Sequence, residues 1–536
     1  MNLSIRDIIL ACEGEAHVSE KNENNKVSGV ALDSRLVSEG GVFVAQKGEK
    51  VDGHSFIGQV FKKGAALVIT EMAPEQIQNA FGTGLSDWGD YILVDDSLTA
   101  LKKIAKAYRE KLDIPFVGIT GSVGKTSTKE FIAGVLSEKY NVLKTEGNYN
   151  NEIGVPLTLL RIREEHEAAV IEMGISDFGE MTRLTEMVMP DIAVITNIGQ
   201  CHLENLKTRD GILKAKTEIF KGLRPGGRAV LFGEDDKLIT VGPVGDSEPV
   251  FFGSSKCGIK ESSTGENAGK VCGKKLAVSI NSSEDKGLFG SDAELELDYH
   301  GPLVCNKTGE NEEKKPDAAG VSNETGKGAG FAEFNSEKLN VHVPLPGYHM
   351  VVNAAAAAAV SILMGLTAEQ IKAGIENMKP ITGRNNIEKL RDITLIDDCY
   401  NANPVSMKSS IDLLLLAKGE KVAILGDMFE LGENEKQLHG DVGEYAAEKG
   451  IDRIYCIGTL SENMFEAARK NSDKAGIMYW KTRDEFIAAL KSDMGSDKSS
   501  VTGSGKNTLL PPGCTVLVKA SHGMHFEEIV RVIRES

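Results

Sequence analysis

The sequence has no C-x-x-C pair, no apolar run long enough to cross a bilayer and no surplus of basic residues. It also has no G-x-G-x-x-G at the first turn of its last α/β segment. Each absence closes off a class of protein. The eight cysteines (Cys12, Cys201, Cys257, Cys272, Cys305, Cys399, Cys456, Cys514) are scattered. That fits reduced thiols in a cytoplasmic protein better than a disulfide framework or a zinc site. The longest apolar run, Ala354 to Met364, is alanine-rich and interrupted by Ser361. It reads as a buried helix, so no stable membrane insertion is expected. The opening MNLSIRDIILACEGE carries acids and no long apolar stretch, so no secretory signal is read there. A formal net charge of -17 argues against a broad nucleic-acid-binding surface. Any phosphate-bearing ligand must then be held by local cations. Without the dinucleotide fingerprint, no nicotinamide cofactor is inferred.

What is present is an ordinary folded composition, 41% hydrophobic and 26% charged, over 536 residues. At roughly 100–200 residues per domain this means several domains. The most informative stretch is IPFVGITGSVGKTSTKEFIAGVLSE, Ile114 to Glu138. Ile114 to Ile119 reads as a buried parallel strand. Gly121, Ser122, Val123 and Gly124 then form a turn, and a helix begins at Lys125 with Phe131, Ile132, Val135 and Leu136 on one face. Strand, glycine turn, Lys-Thr and helix make a phosphate cradle, in which backbone N–H groups and the helix N-terminus face phosphate oxygens. Lys125 would reach the β/γ-phosphates and Thr126 would sit on Mg²⁺. One spacing departs from the usual motif: Ile119 stands where a glycine is expected.

Strands and helices alternate from here, which implies a parallel sheet covered by helices. The strand Ala168 to Ile171 runs into Glu172, and Ile192 to Thr196 runs into Asn197 and then His202. Ligands bind beyond the carboxyl ends of such strands, so Thr126, Glu172 and His202 are expected to converge around Mg²⁺. Residues 1–112 read as a first α/β unit with two polar loops, Asp33-Ser34-Arg35 and Lys47 to His54. Gly211 to Leu223 reads as an amphipathic helix, and on composition alone Lys214, Lys216 and Lys221 read as solvated. Residues 305–333 hold almost no large apolar groups and read as a mobile surface insertion. Residues 494–512 read as a second flexible insertion. The last unit, from about Arg384, has a polar turn at Asp397 to Pro404 and a Rossmann-like α/β pattern.

Taken together, the motifs resemble the Mur ligases, ATP-dependent amide-bond enzymes of bacterial cell-wall synthesis. The match rests on TGSVGKTS (Thr120 to Ser127), NYNNEIGVPLTLL (Asn148 to Leu160), IEMG (Ile171 to Gly174), TNIGQCHLE (Thr196 to Glu204) and AKTEIF (Ala215 to Phe220). DDCYNANPVSM (Asp397 to Met407) and LGDMFELGE (Leu425 to Glu433) point to the branch that adds D-alanyl-D-alanine. The glycine spacing at the cradle is one this family shows.

The resemblance implies a three-domain α/β enzyme. A first domain (1–112) would hold the uridine diphosphate through Asp33, Ser34, Arg35, Lys47, Gly48, Glu49, Asp52 and His54. A central P-loop ATPase domain with a parallel sheet (113–383) would bind ATP through Gly121 to Ser127, with His349 and Asn353 on the adenine side. A Rossmann-like ligase domain (384–536) would close over it. Arg384 and Asp398 are expected at the nucleotide, and Asn150, Asn151, Glu152, Tyr400, Asn401 and Asn403 at the substrates. Thr126, Glu172 and His202 would hold metal. Lys216 falls where the family carries a lysine carbamylated by CO₂, which revises its default as a solvated cation into a ligand of a second Mg²⁺. The implied reaction joins D-alanyl-D-alanine to UDP-N-acetylmuramoyl-tripeptide through an acyl phosphate, in a cytoplasmic monomer that takes no nucleic acid. The competing readings are a sister ligase or folylpolyglutamate synthase adding one amino acid, and a nucleotide-dependent regulatory protein.

Overall fold

The computed structural model describes residues 1–536 except 49–50, 83, 85–87, 256–274, 305–330, 380–385, 473–475, 496–507 and 536. Its described residues form three sheets, of five, nine and six strands, taken in chain order. The first is parallel from Val30–Ala31 through Val42–Val44 and Leu67–Thr70 to Tyr91–Leu93, with Glu15–His17 antiparallel on its edge. The third begins with the antiparallel pair Asn386–Lys389 and Thr394–Asp397. It continues in parallel through Thr515–Lys519, Lys421–Gly426, Arg453–Ile457 and Ile477–Trp480.

The nine-stranded sheet carries the site. Its parallel part runs Val142–Lys144, Ala168–Glu172, Phe116–Thr120, Ile192–Ile195, Arg228–Phe232, Val250–Ser254, Leu276–Asp285. FVGIT, AAVIE and IAVI are buried throughout, the near-continuous apolar run of strands covered on both faces. The helix Lys125–Leu136 buries Phe131, Ile132, Val135 and Leu136 as its pattern demands. The alanine-rich helix Tyr348–Leu363 packs in the same cluster. No helix among the described residues is long and apolar enough to cross a membrane.

Three readings of the sequence need correction. Phe331 to Glu333, assigned to an insertion, begin the long strand Phe331–Val343, which pairs antiparallel with Ser291–Pro302 from Phe331 opposite Pro302 onward. Cross-strand pairing supplies the order that composition does not; the rest of that stretch, 305–330, lies outside the described residues. The flanks of 494–512 are also built in. Met494 lies in the last turn of the helix Arg483–Gly495 and packs, with Leu509 and Leu510, against the apolar core of the third domain. The Tyr455 hydroxyl donates to the Leu509 carbonyl at 2.8 Å. Third, Lys216 is 1% exposed, on the inward side of the helix Arg209–Thr217, while Lys214 and Lys221 are exposed.

The way the cores divide sets which domains move together. One apolar cluster runs unbroken from Ile8, Leu67 and Leu101 of the first domain to Ile171, Met181 and Leu184 of the central one. Arg109 pins this joint. Its guanidinium donates to the carbonyls of Val188 (2.7 Å), Met189 (2.9 Å) and Leu112 (3.1 Å) and lies 3.6 Å over the Phe116 ring. Burial draws its pKa down to about 10. Arg109→Met keeps the bulk but takes the donor from the buried Val188 carbonyl and from two half-buried ones, and the cation from Asp191 at 3.6 Å; it is expected to cost about 3 kcal/mol. Denaturant unfolding should then show the first and central domains melting earlier together, with the third domain unmoved. The third domain has its own clusters on the two faces of its sheet, and Leu288 of the central domain packs against one of them.

Candidate active site

The cradle is built where the central strand Phe116–Thr120 ends. Gly121 has φ +151, and a Cβ there would lie 1.9 Å from the Thr196 hydroxyl oxygen. Gly124, with φ +82, turns the chain into the helix Lys125–Leu136. The neighbouring strand Ile192–Ile195 locks the loop from the side. Thr196 Oγ1 donates to the Val123 carbonyl at 2.6 Å, and Asn197 Oδ1 accepts from the Val123 N–H at 2.9 Å. Lys125 Nζ donates to the Gly121 carbonyl at 2.8 Å. The Thr128 hydroxyl donates to Asn353 Oδ1 at 2.9 Å, which ties the cradle helix to the alanine-rich one.

Beside the cradle, Glu172 ends its strand 1% exposed. One carboxylate oxygen accepts from the Thr126 hydroxyl and the other from Asn150 Nδ2, each at 2.9 Å. His202 reaches the third domain with its ring. Its backbone has φ +51, and its Nδ1 lies 2.7 Å from Glu430 Oε2 of the third domain. That hydrogen bond holds the Glu430 carboxyl below its usual range. No group of three or more His, Cys, Asp or Glu able to hold a metal is found among the described residues. A direct hydrogen bond brings Thr126 and Glu172 together, while the Nδ1 of His202 is engaged across the interdomain cleft. A hydroxyl and a carboxylate still suit Mg²⁺, which takes one or two carboxylates and completes its shell with water and substrate phosphates. Lys216 is enclosed nearby. Burial, with a smaller effect of Lys125, draws its amine down to about 8, against an opposing influence of Cys201.

Two cavities meet at the cradle. The first, about 290 Å³, runs from Ser122–Thr128 past Phe232, Tyr348 and His349 to Asp398 and Lys519. Burial lowers the His349 pKa. Asp398 and Lys519 form a buried ion pair at 2.6 Å, completed by the Ser410 hydroxyl on Asp398 and the Asn401 carbonyl on Lys519. The second cavity, about 620 Å³, takes walls from all three domains, including Leu98, Asn150, His202 and His522. Ser122, Lys125, Asn401 and Asn403 line both. A third cavity of about 590 Å³ lies between the first and central domains, with Asp33, Leu36, Tyr149, Arg161 and Arg163 on its walls.

Several expected ligand residues are engaged within the fold. His54 is 1% exposed, its Nδ1 2.7 Å from Asp52 and its Nε2 accepting from the Glu71 N–H, which takes it out of reach of a ligand. Gly48 N–H donates to Val51, and Lys47 bridges Asp52, so that loop closes on itself. Ser34 is buried, and Arg35 folds onto Asp33 at 2.6 Å. Asn151 caps the turn into the helix Gly154–Leu159, and Asn403 caps the helix Pro404–Leu415. Glu152 lies at the second cavity but is ion-paired to Lys102 and Arg183. Tyr400 rests against the His522 ring, 5.4 Å between centroids. Glu49 and Arg384 lie outside the described residues.

The sequence reading placed Asn197 and Glu430 after their strands but assigned them no site role, and it passed over Lys519 and Ser521-His522-Gly523. The last three residues follow directly on a central strand of a parallel sheet, at the end where ligands gather, and that position was the available signal.

Three family models match the chain: "Mur ligase family, catalytic domain" at 26–109, "Mur ligase middle domain" at 119–281 and "Mur ligase, glutamate ligase domain" at 383–506. A curated relative from Bacillus subtilis, UDP-N-acetylmuramoyl-tripeptide–D-alanyl-D-alanine ligase, is 34% identical over 96% of this chain and 94% of its own. The chain belongs to the Mur ligase family. A solved MurF from Acinetobacter baumannii superposes with TM-score 0.76 at 27% identity, covering 100% of this chain and 99% of that one. MurF ligase from Thermotoga maritima in complex with ADP gives 0.69 at 27% identity, over 95% and 97%. This Mur ligase has two glycines at positive φ in its cradle, a direct Thr126–Glu172 contact and a buried Lys216.

Proposed function

We propose that this Mur ligase uses ATP to join D-alanyl-D-alanine to UDP-N-acetylmuramoyl-tripeptide, giving the pentapeptide precursor, ADP and phosphate. One observation carries the reading: the cradle cavity and the three-domain cavity share Ser122, Lys125, Asn401 and Asn403 in their walls. A nucleotide in the first would present its terminal phosphate to whatever occupies the second. Its adenine end would lie toward Phe232, Tyr348 and His349. The cavity between the first and central domains would take the uridine diphosphate, with Arg161 and Arg163 supplying positive charge. The sugar and peptide would then extend past Asn150 and Gly174 toward Lys125, and the dipeptide would enter beside Asn401 and His522.

A carboxylate is a poor acyl donor, so the terminal phosphate activates it as an acyl phosphate. The Lys125 ammonium and the loop N–H groups stabilise the charge concentrated in that transfer. The free amine of the dipeptide then attacks the acyl carbon, the C–N bond forms, and phosphate leaves with the electron pair. Positioning does the rest, and no side-chain nucleophile is required. Mg²⁺, when bound, neutralises phosphate charge; Thr126 and Glu172 would hold it, with His202 alongside. Lys216 would carry CO₂ as a carbamate. Carbamylation needs a neutral amine, and burial provides a fraction of one near neutral pH. Enclosure by the third domain keeps water from the acyl phosphate. The proposed division of the chain is 1–112, 113–383 and 384–536, working as a cytoplasmic monomer.

The test is phosphate release from Mg-ATP with UDP-N-acetylmuramoyl-tripeptide, with and without D-alanyl-D-alanine. Turnover is expected only with both. Turnover with one amino acid in place of the dipeptide would favour a sister activity, and turnover indifferent to both would remove the ligase reading.

A further inference from the structure

The contact between His202 and Glu430 has no part in the reaction as derived so far. It joins two domains whose apolar cores are separate. Both residues are non-glycine and both have left-handed backbones, φ +51 and φ +63. Such a conformation costs of order 1 kcal/mol or more and persists only where its surroundings enforce it. Here it brings two side chains face to face at 2.7 Å. The packing around them is close. Gly432, also left-handed at φ +69, sets its turn against the helix Leu203–Leu206, with Glu204 N 3.5 Å from where its Cβ would be. The Phe429 N–H donates to the Ser521 hydroxyl at 3.0 Å, which anchors the same turn to the third sheet.

The chemistry of the pair is specific. A carboxylate on one ring nitrogen fixes the tautomer and the ring plane, and leaves the other nitrogen as a lone-pair donor. On His202 the carboxylate takes Nδ1, so Nε2 becomes the donor. Histidines so held are stronger and better aimed ligands for metal. The unusual feature is the source of the carboxylate. Thr126, Glu172 and His202 belong to the central domain, whereas Glu430 comes from the third. We infer that Glu430 is a positioning residue that aims His202 at the phosphate-bound cation only when the third domain is closed. Closure of the chamber and completion of the cation site become one event, so a nucleotide would not be fully activated while solvent still has access. This inference rests on the ligase reading of the site, and it adds a residue to that reading from across the cleft.

The test compares Glu430→Ala and Glu430→Gln with the parent enzyme. The Glu430 side chain is 61% exposed, so both variants should fold. The first measurement is Mn²⁺ binding in the presence of ADP, followed by electron paramagnetic resonance, and it needs no turnover. Glu430→Ala is expected to weaken Mn²⁺ binding by at least about tenfold, the usual effect of losing such a partner. Glu430→Gln, which retains an acceptor oxygen, should fall between. In steady state, kcat should drop for Glu430→Ala and the Mg²⁺ needed for half-activation should rise, with KM for the UDP-linked substrate unchanged. If KM for the dipeptide alone rises while Mn²⁺ binding stays within twofold, Glu430 is only a domain contact and the inference is overturned. Unchanged Mn²⁺ binding and unchanged kinetics would overturn it as well. Failure of the ligase reading would show separately, as no dipeptide-dependent turnover in the parent enzyme.

Discussion

Lys216→Met should lower turnover by about 10³-fold, on the scale of losing a buried group aimed at developing charge, and yet make the protein harder to unfold at pH 7. The two effects have one origin. Lys216 is enclosed, and burial draws its pKa from 10.5 to about 8. Below pH 8 the native state must hold a charged ammonium out of water, and the shift corresponds to a cost of ~3 kcal/mol. Methionine fills similar space without the charge. Between pH 8 and 10.5 the unfolded chain keeps a proton on Lys216 that the native chain has released. Stability of the parent therefore rises with pH through that window, and the advantage of the variant fades and is gone above it. Denaturant unfolding at a series of pH values in CO₂-free buffer measures this. A variant less stable than its parent at pH 7 would show that the ammonium is well solvated or paired. Activity tests the other half of the argument. The smaller Lys216→Ala leaves room for a short carboxylic acid, which should restore part of the rate by supplying the missing oxygens. Full activity in either variant would end the carbamate role.

Gly121→Ala should reduce kcat/KM for ATP by about 10²-fold or more, about 3 kcal/mol at the transition state. The new methyl would arrive 1.9 Å from Thr196 Oγ1, well inside contact distance, on a backbone at φ +151 that side chains rarely adopt. Thr196 cannot give way cheaply, because its hydroxyl holds the Val123 carbonyl at 2.6 Å and so sets the shape of the loop. Either the threonine moves and the cradle loosens, or the strand end shifts and Lys125 moves with it. Both misplace the phosphate-binding groups, so ATP affinity measured by calorimetry should fall together with the rate. Gly147, with φ +49 and open space around it, offers the contrast. Alanine there meets only backbone strain and should leave ATP binding unchanged.

The histidines show what local pattern leaves open. His202 and His54 both follow polar turns in motifs of similar look. One lines a cavity, and the other is sealed between Asp52 and the Glu71 N–H. Nothing local separates them, because burial depends on what packs from distant parts of the chain. Asn403 was legible in a polar turn and Asn151 through the family resemblance, but the chemistry that suits a ligand also suits backbone N–H groups, and the fold uses Asn403 as a helix cap and Asn151 to hold the turn before a helix. Lys216 went the other way, since a lysine on an amphipathic helix reads as solvated until the helix is seen to turn that side inward.

Local pattern settled the elements whose information is short-range: the strand, glycine turn and helix of the cradle, the buried parallel strands, and the carboxyl-end placement of Glu172. Apolar periodicity and the few residues tolerated at positive φ are written into neighbouring positions. Tertiary structure alone decided what depends on long-range approach. It set Thr196 against Gly121, enclosed Lys216, joined the first two domains through one core, and brought Glu430 from the third domain onto His202. Those relations are distances between segments far apart in the chain, and only packing fixes them.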